Sequence, residues 1–367
     1  MNMKREKNTH MSLLSGCTWL HAPLFQCGIS SAQPSSTFCC CNLPMATSCR
    51  IAVVGDVHDD WSLEEDTKAL QLLKPDLVLF TGDFGNENAD LVESISNVDF
   101  AKAVILGNHD AWNTQKFSAR YSTHICCDWQ ECFLFLCGAT REKDAVQLQL
   151  ESLGDEHVGY RRMDFPNLKL SIVGGRPFSC GGQQVFRKKL LTARYGIHDM
   201  DGSANRIYHA ALGTPADHSV IFLAHNGPTG LGSGLDDICG KDWIPGGGDH
   251  GDPDLALAIS QLKETTKLSI KLVVFGHMHK ELAFGNGLRK MIVVGDDNTV
   301  YLNGAVVPRV KIIGKEQAVA SGTLRAFTVA DISDGSLEKI TETWVSVIGD
   351  EVRVEDELVL LSKGATL

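Results

Sequence analysis

The segment "VVFGHMHKEL", residues 273–282, places His277 and His279 on either side of one methionine at the end of an apolar run. On an extended backbone, residues i and i+2 project to the same side, so the two imidazoles could meet one metal site. His-x-His also occurs in surface loops, so the remaining ligands must come from elsewhere in the chain. Four further segments offer them: "RIAVVGDVHDD" with Asp56 and His58, "DLVLFTGD" with Asp83, "AKAVILGNHD" with Asn108 and His109, and "SVIFLAHNG" with His225. Each is a short apolar run that stops at a polar cluster, the pattern of a strand buried on both faces with chemistry at its end. Oxygen and imidazole donors suit manganese, iron or zinc. Seven donors are too many for one ion. They suit two ions that share a carboxylate and lie ~3.5–4 Å apart, a spacing that clamps the attacking and leaving oxygens of a phosphoryl transfer.

The elements around these segments follow α/β grammar, in which ligands gather at the carboxyl ends of parallel strands. In "SLEEDTKALQLL", Ser62 and Glu65 have capping-box spacing, which predicts a helix from Leu63. The pattern loosens over residues 113–217, where "LKLSIVGG" predicts a strand and "FRKKLLTARYG" a helix. In "GGGDHGDPDLALAISQLKE", Asp252 is placed to cap a helix whose first residue is Pro253. Residues 290–347 are strand-rich and predict a second sheet with antiparallel members, and the last twenty residues predict a tail. No internal repeat is visible.

Composition narrows the function. The 367 residues carry a formal net charge of −11, which argues against nucleic acid as a partner. No apolar stretch approaches the ~20 residues needed to span a bilayer. The first fifty residues differ from the rest: Glu6 is their only acid, and they hold seven serines and half of the twelve cysteines. That composition predicts a transit peptide over residues 1–49, chloroplast ahead of mitochondrion because arginine is scarce. The alternative is a disordered tail or a true start at Met11 or Met45. The later cysteines contain no C-x-x-C pair and fit thiols of a reducing compartment; a redox switch among Cys126, Cys127, Cys132 and Cys137 is the alternative.

Taken in order, Asp56-Val57-His58, Gly82-Asp83, Gly107-Asn108-His109-Asp110, His225 and Gly276-His277-Met278-His279 resemble the motif series of the calcineurin-like metallophosphoesterases. The resemblance covers roughly residues 50–345. It implies a four-layer α-β-β-α sandwich of two mixed sheets over residues 50–347. It also implies a dinuclear centre that hydrolyses a phosphomonoester or phosphodiester by attack of a bridging hydroxide. Carried over by position, Asp56, His58, Asp83 and His279 would hold one metal, and Asp83, Asn108, His225 and His277 the other. Asp83 would be the bridge, and His109 would act on the leaving oxygen without ligating. Many members carry an Asp three residues beyond the Asp of the second motif that orients this histidine, whereas this chain has Asn86; Asp110 or Glu87 could substitute. The same centre would also serve a nucleotide pyrophosphatase, and a non-catalytic metallo-fold scaffold is the reading from another class.

Among other candidates, Arg176 on "GGRPF" could clamp a substrate phosphate bidentately or sit in a surface salt bridge. Asp249 and His250 are ligand-like residues in a glycine-rich loop, and Asp254 reads as dipole compensation in a helix's first turn. A fluorescent reporter fused behind residues 1–49 is expected to accumulate in chloroplasts. A diffuse cytosolic signal would overturn the transit reading.

Overall fold

The computed structural model describes residues 48–116, 143–314 and 322–363, all within the compact unit Ala46–Leu367. The segment read as a transit peptide, apart from Ser48 and Cys49, and the four clustered cysteines lie outside the described residues. Strand β1, Ser48–Val54, already includes Cys49, which is buried. Helix α1, Leu63–Leu73, starts where the sequence placed it, with Ser62 Oγ accepting from the Glu65 N–H. The reciprocal bond comes from Asp66, which accepts from the Ser62 N–H at 2.9 Å, because Glu65 is drawn to Arg325.

The first sheet runs β13-β12-β11-β1-β2-β3, with β10 (Val310–Ile313) attached to β11. Here β2 is Leu77–Phe80, β3 Lys102–Val104, β11 Gly322–Ser333, β12 Ser336–Ile348 and β13 Glu351–Ser362. The second sheet runs β4-β5-β6-β7-β9-β8: Arg162–Phe165, Leu170–Gly174, Ser219–Leu223, Ser269–Phe275, Val300–Asn303 and Ile292–Val294. Both sheets are mixed. β1, β2 and β3 are parallel, as are β5, β6, β7 and β9, while β1–β11, β4–β5 and β8–β9 pair antiparallel.

Period-two alternation explains how the sheets pack. Ile51, Val53, Leu77 and Leu79 of the first sheet share one core cluster with Ile221, Leu223, Leu272 and Val274 of the second. The alternate residues Ala52, Val54, Val78, Phe80, Phe222 and Phe275 belong to a second cluster with the helices. Those helices include α1, α2 (Ala89–Ser96) and α3 (Ala145–Leu153), then α4 (Lys188–Tyr195), α5 (Met200–Ala211) and α6 (Pro253–Thr265). The result is an α-β-β-α sandwich. Strands with both faces covered must be apolar throughout, which is why the runs read as they do.

Three expectations need correction. The strands over 290–347 do not form one sheet: β8 and β9 extend the second, while β11 and β12 join the first beside β1. The last residues are not simply a tail, because β13 is the outer strand of the first sheet. Its alternating charges, "EVRVEDE", suit an edge that must not recruit another strand. Asp252 stands at the N-cap of α6 with Pro253 first in the helix, but its side chain makes no cap bond.

Its carboxylate belongs instead to a buried ion cluster. Arg176, just beyond β5, donates to Asp252 Oδ1 at 2.8 Å and to Asp254 Oδ2 at 2.9 Å. Ser179 adds a bond to Asp252, and Ser203 of α5 one to Asp254. Arg176 is 1% exposed, so it is available neither to a substrate phosphate nor to a surface salt bridge. Asp254 likewise serves this cluster more than a helix dipole. Removing one partner of such a cluster leaves uncompensated buried charge. Arg176→Met is therefore expected to destabilise the fold by about 3–5 kcal/mol in urea unfolding. A change below about 1 kcal/mol would show that the cluster does not hold α6 to the sheet.

Candidate metal centre

The parallel strands of both sheets end on one rim, and the donors follow those ends: Asp56 and His58 after β1, Asp83 after β2, Asn108 and His109 after β3, His225 after β6, and His277 and His279 after β7. Two glycines permit this approach. A Cβ on Gly276 would lie 2.1 Å from Asp56 Oδ1, and one on Gly107 would lie 2.3 Å from Asp83 Oδ1. His58, Asp83 and His277 take left-handed backbone conformations, with φ of 44°, 50° and 66°. Non-glycine residues rarely do so, and such strain concentrates at functional sites.

Three groups of donor atoms come within 4.8 Å of one another: Asp56, His58 and His279; Asp83, His225 and His277; and His58, Asp83 and His109. The first two separate as the two expected metal sites do, and the third links them through Asp83 and His58. Individual separations suit coordination. His58 Nε2 and His279 Nε2 are 3.0 Å apart, and Asp56 Oδ2 lies 3.5 Å from His279 and 4.0 Å from His58. In the other group His225 Nε2 is 2.9 Å from Asn108 Oδ1 and 3.4 Å from Asp83 Oδ1. Bonds of ~2.0–2.2 Å at 90–110° give donor–donor edges of ~3.0–3.5 Å. The donors fit transition ions in type and in spacing.

The ring tautomers are set by their other partners. His225 Nδ1 lies 2.7 Å from the Thr81 carbonyl, an acceptor only, so Nδ1 carries a proton and Nε2, which faces Asp83 and Asn108, is the nitrogen that a metal ion would take in place of its proton. The Thr81 hydroxyl donates to Asp56 Oδ1 at 3.2 Å, and the His277 backbone N–H donates to both Asp56 oxygens. Electrostatics point the same way. Burial works against the Asp83 carboxylate, but His225, by charge and by contact, holds it well below the usual range. Burial also opposes a charged His225, yet Asp83 and Asp56 push that ring up to about 10. Burial and then the charge on His225 drive His277 down to about 3. Burial lowers His58, while Asp56 raises His279 against burial. Two buried carboxylates thus draw positive charge to one spot, as a cation site must.

His109 Nδ1 lies 2.7 Å from Asn86 Oδ1, so Asn86 occupies the orienting position that the departure from the motif had put in doubt. Asp110 and Glu87, the alternatives, are engaged elsewhere. Asp110 is fully buried and accepts from the backbone N–H groups of Asp83, Phe84 and Gly107, tying two motif loops together. Glu87 accepts from the N–H groups of Asn113 and Thr114. Asp249 folds its own loop, accepting from Thr229, Gly230 and Gly251. His250 reaches the centre, its ring 5.9 Å from that of His277 at 28°.

Several contributors escaped the sequence reading. Arg289 donates to the His279 carbonyl at 3.0 Å and to the carbonyls of Asp237 and Gly240, fixing the loop after β7. Asn303 holds the Met278 carbonyl at 2.6 Å. Trp112 stacks on His109 with ring centroids 4.8 Å apart and planes at 10°. Thr81 lies inside the motif "FTGD", where an extra hydroxyl donor could have been noticed. The others sit in segments without a chemical pattern.

A family model for calcineurin-like phosphoesterases matches residues 49–281, well over half of the chain. The chain belongs to the calcineurin-like phosphoesterase family, and the protein is a metal-dependent phosphoester hydrolase. Among solved structures it is similar to a dimetal phosphatase from Danio rerio, at 10% identity over 86% of this chain and 99% of that one, with a TM-score of 0.38. It is also similar to PhoD, at 9% identity over 86% of this chain and 72% of that one, with a TM-score of 0.44. No curated protein sequence matches the chain. Among the described residues no helix is long and apolar enough to cross a membrane.

Purified protein reconstituted with manganese is expected to hold about two ions per chain by elemental analysis. His277→Ala is expected to lose one of them. A wild-type count of one or none would refute the dinuclear assignment.

Proposed function

We infer that the protein hydrolyses a phosphomonoester or phosphodiester at a pair of transition ions, manganese, iron or zinc. Asp56, His58, Asp83 and His279 would hold one ion, and Asp83, Asn108, His225 and His277 the other. The observation that carries this reading is the position of Asp83, whose carboxylate belongs both to the group with His225 and His277 and to the group with His58. A bound pair of ions would supply Lewis acidity to the phosphoryl oxygens and would lower the pKa of a coordinated water.

The chain's own residues do the rest. Asn108 offers a neutral amide oxygen, which limits the negative charge facing an anionic substrate. His109 is the proton donor to the leaving oxygen. Its ring sits at the edge of the donor groups, 5.0 Å from that of His58, and Asn86 and Trp112 fix its orientation. An amide in place of a carboxylate can serve either tautomer of this ring: Oδ1 accepts from Nδ1–H, or Nδ2 donates to a bare Nδ1, leaving Nε2–H for the substrate.

Because His109 acts on the departing oxygen, its value depends on the leaving group. His109→Ala is expected to lower kcat on an alkyl phosphoester by about a hundredfold or more. The loss on a nitrophenyl ester, which needs no proton, should be smaller, and both metals should stay bound. Wild-type turnover of the alkyl ester by the variant would remove His109 from the mechanism.

A further inference from the structure

Trp112 is 46% exposed although it stands in the turn that follows the catalytic histidine. It is not a loose surface side chain. Arg187, arriving from the start of α4, donates through Nε to the Ala111 carbonyl at 2.7 Å and through Nη2 to the Trp112 carbonyl. The Trp112 N–H donates to the His109 carbonyl at 3.2 Å. Phe186, partly buried, lies against the indole with centroids 6.2 Å apart, and the Arg187 guanidinium covers that phenyl ring at 4.5 Å. A large apolar plate is thus clamped by its backbone, one face stacked parallel on the imidazole that meets the leaving group, and the residue left half open to solvent.

Fold stability does not explain an open plate of this kind, because an indole kept for packing would be covered. Its position explains it better. Whatever is esterified to the phosphate leaves on the side of His109, and there it meets Trp112 and Phe186. Flat aromatic faces favour a planar π system in parallel contact, and every nucleobase presents one. Directly after Arg187 in the chain, Lys188 and Lys189 are exposed, a basic run in a chain of net charge −11. Cationic side chains here favour an anionic organic group over a neutral one.

We propose that Trp112, with Phe186, is the specificity platform of this hydrolase, stacking the nucleobase of a nucleotide-type phosphoester whose phosphate sits at the metal centre. The proposal rests on the phosphoesterase reading above and names its substrate class. Stacking on an aromatic side chain selects for the base without reading its identity, so adenine and uracil nucleotides should both be accepted.

The test compares matched esters on the manganese-reconstituted full chain. AMP is set against glycerol 3-phosphate, and the methyl ester of AMP against that of glycerol 3-phosphate, with products resolved by chromatography. The wild type is expected to prefer the adenosine member of whichever pair it hydrolyses by about tenfold or more in kcat/KM. In Trp112→Ala that preference should fall towards one, and Trp112→Phe should restore part of it. Loss of Trp112 could also disturb His109, but that would slow both members of a pair alike and leave their ratio unchanged. Phe186→Ala, which does not touch His109, should lower the ratio in the same direction. An active wild type without the preference, or one preferring a long-chain alkyl ester, would overturn the proposal. So would an unchanged ratio in both alanine variants. If neither pair is hydrolysed, the esterase reading fails, and equilibrium binding of AMP to the metal-loaded protein still decides this one. Trp112→Ala should bind at least about tenfold more weakly, and equal binding would overturn the platform.

Discussion

Two buried carboxylates set the terms for the rest of the molecule. Asp56 and Asp83 are each 1% exposed, and ionised groups leave water only where opposite charge or hydrogen bonds receive them. The surrounding residues are arranged accordingly. The His277 N–H and the Thr81 hydroxyl serve Asp56, the His109 N–H serves Asp83, and His225 leans on Asp83. To bring these groups together, five strands from two sheets must end at one level. Three of the site residues then accept left-handed backbone, and Gly107 and Gly276 give up a side chain so that carboxylates can pass. Neither concession has a purpose in packing.

A second set of buried polar groups keeps that arrangement rigid. Asp110 binds the loops after β2 and β3 through three backbone N–H groups. Arg289 and Asn303 hold the consecutive carbonyls of His279 and Met278 in the loop after β7. Arg176, with Asp252 and Asp254, fastens the end of β5 to α6. Each of these is charged or strongly polar, nearly inaccessible, and bonded to loop backbone or to an opposite charge. Catalysis in this class depends on placing fixed dipoles and donors before the substrate arrives, which demands this kind of immobility.

The candidate ligand residues and the surrounding loops divide the work. The strand ends define what reaction the centre can perform. The loops around it contribute ring faces: Trp112, beside Phe186, stacks on His109, and His250, beside Trp243, lies against His277. Such loops can vary without disturbing the sheets, because their contacts with the centre are mostly ring faces, not ligand bonds.

Much of the site was legible in the residues because metal chemistry restricts donor types and strand ends restrict their spacing. The apolar runs before Asp56, Asp83, Asn108, His225 and His277 announced buried strands, and a polar cluster after each announced a rim. The start of α1 at Leu63 was equally readable from its cap. What pattern could not decide was partnership across long distances. Nothing local distinguishes an arginine that holds a phosphate or a surface carboxylate from one that neutralises two buried aspartates, so the sequence leaves Arg176 between the first two and does not reveal the third. Nor does strand periodicity say which sheet a strand joins, so the pairing of β11 with β1 and the addition of β13 at the edge are visible only in the fold. The orienting role of Asn86 and the stacking of Trp112 on His109 likewise depend on which loops meet. Sequence determined the chemistry available, since that is a property of side-chain type; tertiary structure decided which side chains were left to perform it, since that depends on which charges and faces the fold had already satisfied.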